Sequence, residues 1–197
     1  MKKIILTFFL IVSFQLFAQQ NDKFFITAGV SVNYLQSNYY KSKTIPGLGE
    51  FVIFTIRSYP RVTNAINFEL SVRQFNWSNE LHSANMIYQL NNHSFAIGLD
   101  SYYLFFRNKK IQPKIGFGLN RFFNRKYEYN IYENSNLIYT DESHYYNYTK
   151  YYASFIFGIE AKLYKKIYLD ITYMPMVNFA SNVFQDVNIG LKYSFDF

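Results

Sequence analysis

From residue 24 onward the chain alternates between apolar residues and small or polar residues with a period of two, which is the period of a β-strand. In the first segment, apolar residues occupy every second position from Phe24 to Tyr34. The pattern recurs along the chain, less regularly in the second segment than in the others. It predicts eight strands, at residues 24–34, 51–59, 66–73, 95–105, 111–120, 153–162, 167–173 and 187–197.

The connections between these strands differ in length according to the end on which they fall. Short connections are expected at residues 60–64, 107–110 and 164–166, and longer ones at 35–49, 76–92, 122–150 and 175–182. The short connections share an end with both termini, as the periplasmic turns of outer-membrane barrels do. We therefore predict one all-β domain over residues 19–197, an eight-stranded antiparallel up-and-down transmembrane β-barrel.

The bulk of the side chains indicates which face of the strands points inward. An interior surrounded by eight strands is only wide enough to be filled by side chains. The apolar faces carry large residues at nearly every position and would overfill it, whereas the polar faces include several glycines. We expect the polar face inside and the apolar face in lipid. A soluble lipocalin-like binder, with the faces reversed, is the alternative.

Charged residues of both signs fall on the predicted inner face. Buried charges are stable only when they are paired and hydrogen-bonded, so the pattern predicts an ionic network that fills the barrel. A narrow pore or transport-associated barrel is the alternative function. The residues expected in the network are Arg57, Glu69, Arg73, Asp100, Lys114, Glu160, Lys162, Asp170, Asp186 and Lys192.

The N-terminus has the composition of a secretory signal. Lys2 and Lys3 precede an apolar run at residues 4–17, which is shorter than the ~20 residues of a spanning helix. We expect a signal peptide at residues 1–18 that is cleaved on export. Together with the predicted barrel, this signal places the mature protein in the outer membrane of a Gram-negative bacterium, in contact with lipid and lipopolysaccharide.

Several segments resemble a known family. The sequences at residues 25–30 and 115–119, the closing segment at 191–197 and the signal peptide are similar to the PorT-like outer-membrane β-barrel proteins. The chain resembles the OmpA-type eight-stranded barrel more loosely. The resemblance implies the fold and the location, but no catalytic residue. The aromatic ending of Tyr193, Phe195 and Phe197 is similar to the signal read by the barrel assembly machinery, which implies that partner during biogenesis.

Composition and spacing give little sign of catalysis. The chain lacks cysteine, and its formal charge of +7 is spread thinly, so we expect neither thiol chemistry nor nucleic-acid binding. Asp141, Ser143 and His144 include the residue types of a hydrolase, but near neighbours in sequence seldom converge on one point. His82 and Ser83 lie near where lipid A deacylases place a His–Ser pair, which leaves a lipid A-modifying enzyme as a weaker alternative. No spacing suggests a metal site or a cofactor, and we expect a non-enzymatic protein.

Tyrosines are concentrated in the longest predicted loop. Tyrosine combines an apolar ring with a polar tip and suits both binding surfaces and membrane interfaces. Two interpretations stay open: an extracellular recognition site for a protein, glycan or lipopolysaccharide, and a hairpin that extends the barrel wall. The tyrosines are Tyr127, Tyr129, Tyr132, Tyr139, Tyr145, Tyr146 and Tyr148.

Overall fold

The computed structural model describes residues 23–36, 43–61, 64–106, 109–143, 149–178 and 183–195, which form ten β-strands. The predicted signal peptide, Tyr145, Tyr146, Tyr148 and Phe197 lie outside these residues. The strands are β1 (Lys23–Gln36), β2 (Lys43–Ile45), β3 (Gly47–Arg61), β4 (Asn64–Ser83), β5 (Met86–Leu104), β6 (Ile111–Glu133), β7 (Asn136–Ser143), β8 (Thr149–Tyr164), β9 (Ile167–Val177) and β10 (Val183–Phe195).

Eight of these strands close into a ring. Each of β1, β3, β4, β5, β6, β8, β9 and β10 pairs in an antiparallel manner with the next, and β10 pairs back with β1. The closing pair runs without a register shift from Phe24 opposite Phe195 to Gln36 opposite Val183. The prediction of an eight-stranded antiparallel barrel is confirmed.

Neighbouring residues on a strand face opposite sides of the barrel wall. On β6 the outward side chains Ile115, Phe117 and Leu119 are 46%, 68% and 67% exposed, whereas Lys114 and Asn120, the residues on either side of this segment, are buried. A belt of large exposed apolar side chains around a charged interior is the arrangement of a transmembrane barrel, whose outer wall contacts lipid. A lipocalin-like barrel would have the opposite arrangement.

Among the described residues there is no helix long and apolar enough to cross a membrane.

The wall is taller on one side than the sequence indicates. β4 and β5 stay paired up to a tight turn at Ala84 and Asn85, and β6 and β7 are joined by a turn at Asn134 and Ser135. Asn134 and Ser135 have φ values of 48° and 68°, as a two-residue hairpin turn requires. The connection predicted at 76–92 is therefore a continuation of β4 and β5 and not a loop, and the described part of 122–150 forms a hairpin, which was one of the two interpretations of that segment.

The hairpins and β2 build a five-stranded sheet above the barrel, in the order β2–β4–β5–β6–β7. We call its part at residues 43–45, 76–83, 86–93, 126–133 and 136–143 the extracellular sheet. The sequence pattern missed it because neither face contacts lipid here, so polar and apolar residues no longer alternate. Its inner face continues the barrel interior, and its outer face continues the lipid-facing wall.

Candidate functional site: the barrel interior and the extracellular sheet

The barrel interior near the periplasmic end is organised around Lys192 on β10. Its Nζ donates to Glu160 Oε1 at 2.6 Å and to the hydroxyl of Tyr102 at 2.7 Å. It also lies 3.4 Å from Glu69 Oε1 and 3.5 Å from Asp170 Oδ2. These five side chains come from five different strands, so the ammonium links residues across the lumen as well as along the wall.

Two further cations balance the carboxylates of this cluster. Lys114 Nζ donates to both carboxylate oxygens of Asp170 at 2.7 Å, and Arg57 pairs with Glu160 through its Nη2. The cluster therefore holds three cations and three carboxylates, counting Lys192 and Glu69, and is electrically neutral. Every one of these side chains is at most 6% exposed, and in such surroundings only paired charges are stable.

A second cluster fills the middle of the barrel. Arg73 donates from Nη2 to Asp100 at 2.9 Å and from Nη1 to Asn120 Oδ1 at 3.0 Å. Asp186 is held by amides, accepting from Asn33 at 2.7 Å and from Asn188 at 2.8 Å. All of these residues are buried. The interior at this height is a hydrogen-bonded polar core.

Lys162 does not join either cluster, and its placement in the network was wrong. It has the inward position on β8, two residues beyond Glu160, but its side chain is exposed. β8 extends beyond the packed interior at this end of the barrel. Its side chains still alternate between the two faces there, but the inward position of Lys162 is no longer buried. The other nine charged residues expected inside are all buried.

Aromatic side chains close the interior on the extracellular side. Their ring centroids lie 4.7 Å to 5.4 Å apart, in both stacked and edge-to-face arrangements. Each is at most 8% exposed. We call this group the aromatic plug, and it consists of Phe75, Trp77, Phe122, Tyr152 and Phe184.

The sequence analysis missed the aromatic plug, although a signal for it exists. Phe75 and Trp77 stand two and four residues after Arg73 and therefore share its inward face. Phe184 stands two residues before Asp186 and shares its inward face in the same way. The strands were predicted from polar residues on the inner face and apolar residues on the outer face. Aromatic residues on the inner face break that alternation, so the predicted strands ended too early.

The described tyrosines of the predicted recognition set do not form one patch. Tyr129 and Tyr139 fall on the inner face of the extracellular sheet, where Tyr129 stacks on Tyr88 with ring centroids 6.5 Å apart. Tyr132 falls on the outer face, opposite Ile87. Tyr127 pairs through its backbone with Ser143 on β7. The backbone of this segment forms a hairpin, and its described tyrosines are divided between the two faces of the extracellular sheet.

The two histidines that the structure describes, His82 and His93, lie in the extracellular sheet beside polar side chains of β4. His82 Nε2 lies 3.3 Å from Glu80, and His93 Nδ1 lies 2.7 Å from the side-chain oxygen of Asn76. Ser83, adjacent to His82 on a strand, faces the opposite side of the sheet. His144 lies outside the described residues, within which no group of three or more His, Asp or Glu side chains is placed to hold a metal ion.

The aromatic C-terminal segment lies at the periplasmic end of β10. Tyr193 is 44% exposed on the outer wall, and its ring meets that of Phe195 edge to face at 4.9 Å. Phe195 also contacts Phe24 of β1 at 6.1 Å, across the seam that closes the barrel. These residues lie where the first and last strands join.

The closed ring, the apolar outer wall and the charged interior together define an integral membrane protein of the outer-membrane β-barrel class. The solved structures to which the chain is similar include members of this class. Neisserial surface protein A superposes with a TM-score of 0.60 at 14% identity, covering 89% of this chain and 100% of that one. Ail, the attachment invasion locus protein of Yersinia pestis, gives 0.52 at 10% identity with the same coverage.

A second Ail structure, in complex with the heparin analogue sucrose octasulfate, gives a TM-score of 0.54 at 9% identity, over 89% of this chain and 100% of that one. At these identities the similarity concerns the fold. No protein-family model and no curated protein matches the sequence.

Proposed function

We propose that this outer-membrane barrel is a closed, non-catalytic scaffold that displays the extracellular sheet as a recognition surface. The observation that carries the proposal is the contrast between the two parts of the molecule. The barrel interior is filled by neutralised charges and by the aromatic plug, whereas the extracellular sheet rises beyond the membrane wall on one side only. Residues beyond the lipid wall are not needed to span the membrane, which points to a role outside it.

The filled interior argues against the pore that the sequence left open. The ionic clusters and the aromatic plug occupy successive levels of the lumen, and both consist of side chains at most 8% exposed. We expect no conductance steps when the purified barrel is added to a planar lipid bilayer. Stable unitary steps from protein that is folded by gel shift would support transport and contradict the closed scaffold.

The net charge of the extracellular sheet indicates which kinds of ligand it attracts. Its residues include five carboxylates, Glu80, Glu128, Glu133, Asp141 and Glu142, against two lysines, Lys43 and Lys126. Polyanions are repelled by such a surface. The Ail structure holds a heparin analogue, but for this chain we propose a neutral glycan or a protein ligand, with Tyr129 and Tyr139 supplying apolar contact.

A glycan array probed with the detergent-solubilised full chain tests the recognition proposal. The double variant Tyr129→Ala/Tyr139→Ala is compared with wild type and with Tyr164→Ala, which removes an exposed ring at the opposite end of the barrel. We expect binding to neutral glycans or to immobilised surface proteins that the double variant loses and the control keeps. Equal binding by all three, or a preference for sulfated glycans, would contradict the proposal.

The remaining assignments follow from the sequence. We propose membership of the PorT-like family, export through a cleaved signal at residues 1–18 and assembly by the barrel assembly machinery. Support comes from the segments quoted above and from the position of Tyr193 and Phe195 at the seam. The absence of a catalytic role is part of the proposal, supported by His82 and Ser83 facing opposite sides. Unchanged lipid A on overexpression is the expected result.

A further inference from the structure

Two charged side chains of opposite sign interrupt the apolar outer wall. Among the described outward positions of the eight ring strands below the extracellular sheet, only Glu50 on β3 and Arg121 on β6 are charged, and both are exposed. A charge that faces lipid costs free energy, and ionisable side chains in a membrane are stabilised by pairing with one another. Each of the two therefore needs a partner.

Glu50 lies within the apolar wall and not above it. Leu48, one outward step nearer the extracellular end of β3, is still 70% exposed, and the cross-strand neighbour Val30 of β1 is 58% exposed. The other cross-strand neighbour, Gln74 of β4, is polar but uncharged. No cation among the described residues lies at ion-pair distance from the Glu50 carboxylate.

The outer wall is hollow beside this carboxylate. A depression of about 600 Å³ opens there across β1, β3 and β4, and small apolar side chains form much of its lining. A concave apolar surface that contains one unpaired carboxylate suits a projecting apolar surface that carries one cation. We call the depression the Glu50 socket, and its lining includes Ala28, Val30, Glu50, Val52, Val72 and Gln74.

The wall around Arg121 has the complementary character. Its outward neighbours Leu119 on β6 and Tyr151 on β8 are 67% and 63% exposed. The guanidinium lies 4.8 Å from the ring centroid of Phe123 and 5.8 Å from that of Tyr151, and these rings hold the cation without neutralising it. No described carboxylate lies at ion-pair distance from it. We call these four residues the Arg121 ridge.

The register places the two charges at similar heights in the membrane. Arg121 lies one outward step below the rung that starts at Glu50 and reaches β6 at Phe123. Rungs rise from β3 towards β6, because a rung followed round the ring from Phe24 of β1 returns to β1 at Tyr34. With strands ~4.8 Å apart and tilted by ~40°, the rise exceeds the step down by only ~4 Å. An arginine side chain spans that difference.

We propose that the Arg121 ridge of one copy packs into the Glu50 socket of a second copy, so that the two charges pair in the outer leaflet. β4 and β5 separate the socket strand β3 from the ridge strand β6, so the contact is head to tail and builds rings or chains in the membrane plane. Glu80 and Glu128 also point outward, but they belong to the extracellular sheet above this wall, where water and salt screen them. The contact depends on the outer-membrane location and not on the recognition of a soluble ligand.

Charge reversal in the full chain tests whether the two residues meet between copies. A donor or acceptor dye is attached before folding through Ile171→Cys, an outward position of β9 on neither surface, and energy transfer is measured in phospholipid vesicles at a series of protein-to-lipid ratios. The variants are Glu50→Gln, Arg121→Gln, Glu50→Arg and Arg121→Glu, with Lys126→Gln as the control. Gel mobility with and without boiling checks that each variant is folded.

We expect wild type and Lys126→Gln to associate equally, and each Gln variant to associate about tenfold more weakly or less tightly still. Glu50→Arg and Arg121→Glu should each stay monomeric alone, because socket and ridge then carry the same sign. A mixture of the two should associate again, since each socket now faces a ridge of opposite charge. Transfer no greater than that of randomly placed copies in wild type, unchanged association of the Gln variants, or no recovery in the mixture would overturn the proposal.

A second measurement keeps both charges in place. Val52→Cys marks the socket and Leu119→Cys marks the ridge, in a chain that has no other cysteine. Under oxidation in vesicles, we expect disulfide-linked dimers in a mixture of the two variants and few in either alone. Dimers of Val52→Cys or Leu119→Cys alone, at the yield of the mixture, would contradict a head-to-tail contact. Neither measurement bears on glycan binding by Tyr129 and Tyr139, which lie on the inner face of the extracellular sheet.

Discussion

Two ion pairs of equal length differ in burial and allow the paired interior to be tested quantitatively. Lys192 Nζ lies 2.6 Å from Glu160, and neither side chain has any exposed surface. Lys126 Nζ lies 2.6 Å from Glu142, with side chains 33% and 54% exposed. Lys192→Met and Lys126→Met remove the same charge from pairs of the same geometry, so any difference between them reports on the surroundings.

The expected difference follows from what each substitution leaves behind. Without Lys192, the ionic cluster at the periplasmic end of the barrel interior has two cations for three carboxylates. One negative charge then stays buried without a compensating cation. Removing one partner of a buried pair costs about 3–5 kcal/mol. Glu142 is 54% exposed, so water already solvates its carboxylate, and an exposed pair contributes about 0–1 kcal/mol.

The assay is chemical unfolding of the barrel in lipid vesicles, followed by the fluorescence of Trp77. This residue is the single tryptophan of the chain and is 8% exposed in the aromatic plug, so its emission should shift when the barrel opens. Unfolding and refolding curves must coincide before free energies are compared. The double variant Lys192→Met/Glu160→Gln restores neutrality to the cluster and should be more stable than Lys192→Met alone.

A gap of less than about 1 kcal/mol between Lys192→Met and Lys126→Met would contradict the difference expected between a buried and an exposed ion pair. That result would mean that water reaches the cluster and that the interior is not a closed core.

Three further substitutions test other parts of the packing by the same unfolding assay. Tyr102→Phe removes the hydroxyl between Lys192 and Glu160 and should cost about 1–3 kcal/mol, whereas no change would mean that the hydroxyl is not part of the cluster. In Gly190→Val the new Cβ meets the ring of Phe51 at 2.9 Å, an overpacking of about 1–3 kcal/mol that a lipid-facing Ala28→Val should not show. Phe184→Ala empties the centre of the aromatic plug, and a loss well below about 3 kcal/mol would indicate loose packing there.

The fold was predictable because the two faces of a membrane barrel wall differ in chemistry at every residue. On β10 the alternation from Val187 to Phe195 matches the observed outward positions, and the same holds for β1. The charged interior followed from the same rule, since a charge on the inward face of a spanning strand has only the lumen to occupy. Lys162 shows the limit of the rule, because the alternation gives the face of a residue but not the height at which the packed interior ends.

The extracellular part was not predictable in the same way. Above the membrane, both faces of the wall meet water or other protein groups, so no solvent contrast imposes a period of two on the sequence. The turn at Ala84 and Asn85 lacks the glycine or proline that marks many turns.

The most direct test of the central assignment uses two adjacent positions on β8 in a chain that lacks cysteine. Ala153 is exposed on the outer wall, whereas Ser154 is 1% exposed and hydrogen-bonded to Asp100 and Asn120. Both side chains are small, so Ala153→Cys and Ser154→Cys change little volume. In the folded barrel in vesicles, a fluorophore on residue 153 should be quenched by nitroxide-labelled acyl chains, and the thiol at 154 should react with maleimide only after unfolding. Labelling and quenching at 154, with protection at 153, would show that the charged face is outside and would contradict the account.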